Sequence, residues 1–184
     1  MVIRDVRVVL AHGACADGSS WARVITALKR DGVEVLAAPL PLSSLSDDVA
    51  ALHRSLNRSD EPIVLVGHAY AGAAVIAEAR SERIKALVYI SALTPDTGET
   101  VADVFYRLEP HPQAPKLAPD ENGLIWLPET AFETAFAQHA SPDDRAVLAA
   151  VQRPISPGLH HYSCGTATLE GYFRAGSSSP GTTE

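Results

Sequence analysis

A doubly wound, mainly parallel α/β sheet with helices on both faces is the fold class that this 184-residue chain predicts. Three observations point to it: short β-branched apolar runs recur through the first half, helical patterns fill the intervals between them, and turn residues punctuate each change of period. Residues 6–10, 33–38, 63–66 and 86–90 read as strands, too short and too apolar to be half-exposed, as the interior strands of parallel sheets are. Residues 20–31, 45–57 and 71–82 carry helical spacing. In the second of these, Ser46 and Asp47 read as the opening of a helix that aligns Val49, Leu52, His53 and Leu56 on one face. Repeated βα units impose right-handed crossovers and hence a sheet covered on both sides.

The pattern changes at about residue 94. From there to residue 156 the chain has Pro-rich loops and amphipathic pieces at 128–139 and 142–151, with Trp126 and several phenylalanines supplying apolar contacts. It reads as a cap over a core that ends near residue 93. The stretch 157–184 is Gly/Ser/Thr-laden, has no sustained periodicity and is expected to be disordered.

Composition narrows the function classes. A formal charge of −7, with Lys and Arg scattered rather than gathered, argues against nucleic-acid binding. No apolar run reaches the length of a membrane span, and MVIRDVRVVL leads into a strand with no signal-type cleavage region, so a cytoplasmic protein with no membrane association is expected. Cys15 and Cys164 have neither CxxC nor Cys/His ligand spacing, and they read as two unpaired thiols. No metal and no cofactor is implied; His160, His161 and Cys164 lie together on the tail without the makings of a tetrahedral site.

The decisive segment is Ile63-Val64-Leu65-Val66-Gly67-His68-Ala69-Tyr70-Ala71-Gly72. An apolar strand, a tight turn of small residues and a helix-like start form the context of a G-x-S-x-G nucleophile elbow, with Gly67 and Ala71 read as the residues that permit the turn. Here the middle position is Ala69, a methyl group where a hydroxyl belongs. After the first strand, His12-Gly13-Ala14-Cys15 stands where this class of fold supplies one N–H of an oxyanion hole, the other coming from the residue after the elbow. The two N–H groups are assigned to Ala14 and Tyr70. His12, Gly13, Cys15, His68 and Trp126 are expected around the pocket, with Tyr70 as a further lining residue.

Together VVLAHGACADGSSW, PLSSLSDDVAAL, VLVGHAYAG and KALVYISALTPD resemble the α/β-hydrolase family, in the subgroup of plant hydroxynitrile lyases and salicylate-ester esterases, over residues 4–156. The resemblance implies an ester or acyl hydrolase with a Ser, Asp, His order of catalytic residues. This chain departs at all three: Ala69 replaces the serine, and no acid or base maps onto the family's positions, as in a C-terminally truncated pseudoenzyme.

The tail has its own signature. With TCN serine codons, the run Gly176-Ser177-Ser178-Ser179 encodes three successive residues drawn from Phe, Leu, Ile and Val in another frame. A buried strand is legible there, and the tail reads as frameshifted.

His68 is read as pointing into the fold, His12 as shaping its loop and His53 as a boundary histidine. Cys15 lacks a visible cation to activate it. Glu82, Asp96 and Glu99 lie at element ends, where exposed acids are common. Three functions compete: a hydrolase-family chain without hydrolytic chemistry, a small-molecule binding module with a capped pocket for a hydrophobic or ester-like ligand, and a parent enzyme with lyase or cofactor-free oxygenase chemistry. An apolar sheet edge after residues 86–90 is expected to favour self-association.

Overall fold

The computed structural model describes residues 5–72, 81–96, 99–107, 109, 111–156 and 159. Its sheet has four parallel strands, β1 (Arg7–Ala11), β2 (Glu34–Ala38), β3 (Ile63–His68) and β4 (Ile84–Ile90), in the order β2-β1-β3-β4. All four expected strands are present, with ends displaced by no more than two residues.

Alternation along β1 and β3 explains why both faces are covered. Val9, Ala11, Ile63 and Leu65 enter one apolar cluster with Leu40, Leu52 and Leu56, whereas Val8, Leu10 and Val66 enter another with Trp21 and Val33. The outer strands depart from the expectation of full burial. On β4, Val88 is 39% and Ile90 41% exposed, and Glu34 on β2 faces solvent. The reason is position: among the described residues these two strands are the sheet's edges, and only the central pair has neighbours on both sides. The helix expected over 71–82 falls mostly on 73–80, outside the described residues.

A 3-10 turn (Gly18–Trp21) begins at Asp17, whose Oδ1 accepts the Ser19 N–H at 2.8 Å, and leads into α1 (Ala22–Arg30). Helix α2 (Leu45–Leu56) matches the expected 45–57 to within one residue. Ser44, extended at φ −156° and ψ 159°, is its N-cap and accepts the Asp47 N–H at 3.1 Å. Capping here is decided by which serine is still extended when Leu45 turns inward.

The later segment contains α3 (Val101–Phe105), closed by a Thr100/Asp103 capping box, and α4 (Glu129–Ala131), which runs into a π-helical turn at Phe132–Phe136. Helix α5 (Pro142–Val151) is capped by Ser141 and has Pro in its first turn. Val101, Ile125, Leu127, Ala131, Phe132 and Ile155 join the cluster built on Val9 and Leu52, so this segment shares a core with the sheet. Gln152 ties it together: its Oε1 accepts the Leu127 N–H at 3.0 Å and its Nε2 donates to the Leu127 carbonyl at 3.1 Å. Leu159 is buried in the same cluster, so ordered packing reaches into the stretch expected to be disordered; the rest of that stretch lies outside the described residues. No helix among the described residues is long and apolar enough to cross a membrane.

Leu52 has no exposed surface. Leu52→Ala is expected to lower the unfolding free energy in urea by about 2–5 kcal/mol. Val88→Thr on the open face of β4 is expected to change it by less than about 0.5 kcal/mol.

Candidate active-site crevice

The order β2-β1-β3-β4 reverses direction between β1 and β3, and in open α/β sheets a crevice forms beyond the carboxyl ends of strands at such a switch. The backbone marks this end of the sheet. The four non-glycine residues with positive φ among those described are Cys15 (55°), Leu42 (61°), Ala69 (49°) and Ser91 (44°), and each lies within four residues of the end of β1, β2, β3 or β4 respectively. Left-handed backbone costs a residue with a Cβ about 1–2 kcal/mol, and such residues gather where a structure over-determines a functional turn.

Ala69 is the sharpest of these turns. The chain leaves β3 extended at His68, goes left-handed at Ala69 and enters a 3-10 turn at Ala69–Ala71. The Ala69 carbonyl accepts N–H groups from Gly72 and Leu93, both at 3.0 Å, which ties the elbow to the loop after β4. Gly72 makes that approach feasible, because a Cβ there would lie 2.1 Å from the Ala92 Cβ and 2.9 Å from its Cα. The sequence reading credited Gly67 and Ala71 with the turn; the motif's following glycine, Gly72, carries the closest approach.

At the same end of the sheet, a Cβ on Gly13 would lie 3.1 Å from both the Ala69 Cβ and His68 Nδ1, so the loop after β1 rests directly on the elbow. His12, with no exposed surface, places Nδ1 3.0 Å from the Gly13 carbonyl oxygen. Its Nε2 has no hydrogen-bond partner among the described residues. His68 is half-buried, with its ring edge-on to Trp21 at a centroid distance of 6.2 Å. Burial pushes both imidazoles below the ordinary value of 6.5, and Arg153 adds to the effect at His12. Burial pushes the Cys15 thiol up to about 11, the opposite of what an activated nucleophile requires.

Tyr70 does not open onto the crevice as a lining residue. Its buried ring turns inward and its hydroxyl donates to Asp48 Oδ2 at 2.7 Å, while Asp48 Oδ1 accepts the Leu42 N–H at 2.8 Å. Burial raises the pKa of the Asp48 carboxyl, and burial together with the adjacent Asp48 raises that of the Tyr70 phenol. Asp48 was missed in the sequence, although a signal was there: it lies on the same helix face as Leu45, Leu52 and Ser55, an acid on a buried stripe.

Trp126 is 44% exposed between buried Ile125 and Leu127, with Nε1 donating to Asp120 Oδ2 at 3.1 Å. In an extended stretch neighbouring side chains alternate, so the apolar contacts expected of Trp126 come from Ile125 and Leu127. Glu99 is engaged locally, accepting the Asp96 N–H and pairing with Arg107 at 2.8 Å; Glu82 and Asp96 are exposed. His53 is partly buried on α2. Among the described residues no three His, Cys, Asp or Glu side chains are grouped to hold a metal; His160, His161 and Cys164 lie outside them.

A model of the alpha/beta hydrolase family matches residues 8–177. The chain is 31% identical over 153 residues to putative methylesterase 19 of Arabidopsis thaliana, which covers 74% of this chain and 54% of that protein. It is 30% identical over 152 residues to salicylic acid-binding protein 2 of Nicotiana tabacum, with 74% and 53% covered. The chain thus spans about half the length of the curated relatives it matches. Among solved structures, a polyneuridine aldehyde esterase mutant aligns with a TM-score of 0.72 at 19% identity, over 90% of this chain and 76% of that one, a likeness of fold.

Two outcomes follow from the geometry. Gly72→Ala is expected to cost about 1–3 kcal/mol in chemical denaturation, because Ala92 must be displaced. The second concerns pH. With folded-state pKa values below 6.5 at His12 and His68, the unfolded chain binds more protons in the window beneath 6.5, so stability is lost as pH falls through it. Asp48, with its folded pKa raised above the ordinary 3.8, acts in the opposite sense at lower pH. Unfolding free energies measured from about pH 7 to about pH 5 are expected to decline, and His68→Phe is expected to flatten that decline.

Proposed function

Because the chain belongs to the alpha/beta hydrolase family, we propose that it is an esterase-like member whose crevice binds a small carbonyl compound but does not cleave it by a serine mechanism. One observation carries this reading: Ala69 occupies the left-handed elbow position at φ 49° and presents a methyl group there. Acyl transfer of this kind needs an oxygen nucleophile activated by a base. The neighbouring histidines are poor substitutes for the rest of the apparatus. His12 is wholly buried with Nδ1 on Gly13, and His68 packs against Trp21.

Binding requires less than catalysis. The N–H groups of Ala14 and Tyr70 are proposed to receive a carbonyl or carboxylate oxygen of the ligand. The segment 94–156 is proposed to cap the crevice through its apolar side chains, of which Leu127 is one. The names of the relatives, methylesterases and a salicylic acid-binding protein, suggest a small methyl ester or aromatic acid as the ligand class.

Hydrolysis of p-nitrophenyl acetate is expected to stay at the buffer rate for the chain and for Ala69→Ser, since neither histidine is set to deprotonate a new hydroxyl. Titration calorimetry with methyl salicylate and with salicylate is expected to show saturable binding. Turnover proportional to protein concentration, or no binding of either compound, would sink the reading.

A further inference from the structure

His12 has an unusual setting for a loop histidine. It has no exposed surface, it lies directly after β1, and its Nδ1 stands at hydrogen-bond distance from the peptide that follows its neighbour, with the Leu40 backbone also beside the ring. The Gly13 carbonyl can only accept, so at neutral pH Nδ1 carries the proton and Nε2 is bare. Nε2 is then a buried acceptor with no partner among the described residues, an arrangement that costs stability. Nothing about packing alone calls for it: an apolar ring of similar size would fill the same space.

The peptide held by this hydrogen bond joins Gly13 to Ala14. No peptide bond among the described residues is cis. In a planar trans peptide the C=O and N–H point in opposite directions, so fixing one fixes the other. With the Gly13 carbonyl drawn toward the buried imidazole, the Ala14 N–H is turned away from it. Ala14 is partly exposed, and its N–H makes no hydrogen bond to a described residue. Gly13 itself abuts the Ala69 methyl and His68.

From this geometry we infer that His12 is a positioning residue: through Nδ1–H it locks the Gly13–Ala14 peptide so that the Ala14 N–H is held, already oriented and unpaired, at the elbow for a ligand oxygen. Tyr70 is anchored independently, by its hydroxyl on Asp48, so the two proposed donors rely on separate buried polar contacts. An oriented donor that needs no rearrangement on binding is worth more than one that must turn first. The inference rests on the ligand-binding reading above and adds to it which side chain prepares one of its two donors.

The test uses sodium benzoate as a carboxylate probe and amide NMR of the full chain. In the unsubstituted chain the Ala14 and Tyr70 amide protons are both expected to move downfield as benzoate saturates, as donors to a carboxylate do. His12→Phe keeps a ring but removes the donor, and is expected to abolish the Ala14 movement while leaving that of Tyr70. His12→Asn, whose amide nitrogen can stand near the place of Nδ1, is expected to restore it. An Ala14 response that survives in His12→Phe overturns the inference. Should His12→Phe fail to fold, the ring 15N spectrum of the unsubstituted chain decides: protonated Nδ1 with bare Nε2 supports it, and the reverse tautomer overturns it. Silence at both amides in the unsubstituted chain would instead refute the ligand-binding reading, and the tautomer would still judge His12.

Discussion

A carboxylate with no exposed surface joins three parts of this molecule. Asp48 projects from α2, takes the N–H of Leu42 in the loop after β2, and takes the hydroxyl of Tyr70 from the turn after β3. Removing a buried carboxylate from water is costly, and the cost is offset only when its lone pairs find donors of good geometry. The two donors do this at 2.8 and 2.7 Å. Leu42 is held left-handed with its N–H on Asp48, and its carbonyl accepts the Ser156 N–H at 3.2 Å, which extends the connection to the end of the later segment.

The strand ends show the same logic of constraint. Parallel strands in one sheet all finish at one edge, so the loops that leave them compete for the same space. Each of the four loops contains a residue forced into the left-handed region, and the tightest contacts, Gly13 against Ala69 and Gly72 against Ala92, occur where these loops cross. Strain of this kind persists only when neighbouring hydrogen bonds and packing hold it, as the paired acceptance by the Ala69 carbonyl does. The result is a rigid rim around the switch between β1 and β3.

Much of this was legible in the residues. Short β-branched apolar runs located β1 to β4, and the strand–turn–helix context located the elbow, because those patterns arise from local geometry. What could not be read depended on partners distant in sequence. The exposure of Val88 and Ile90 depends on β4 having a neighbour on one side only among the described residues. Trp126 was expected to supply apolar contacts around the pocket, yet Asp120, six residues earlier, holds its nitrogen at the surface while Ile125 and Leu127 turn in. Asp48 was passed over because an acid near a helix start is ordinarily a solvated residue favouring the dipole, and only Tyr70, 22 residues later, gives it another purpose.

Arg153 follows α5 in sequence, and its charge acts on two buried polar groups, His12 and Asp48. Its positive charge disfavours protonation of His12 and favours the ionised form of Asp48. A single cation therefore biases two groups that make no hydrogen bond to each other, one under the loop after β1 and one under the turn after β3. Each group responds to it separately: withdrawing that guanidinium would make His12 easier to protonate and Asp48 harder to ionise.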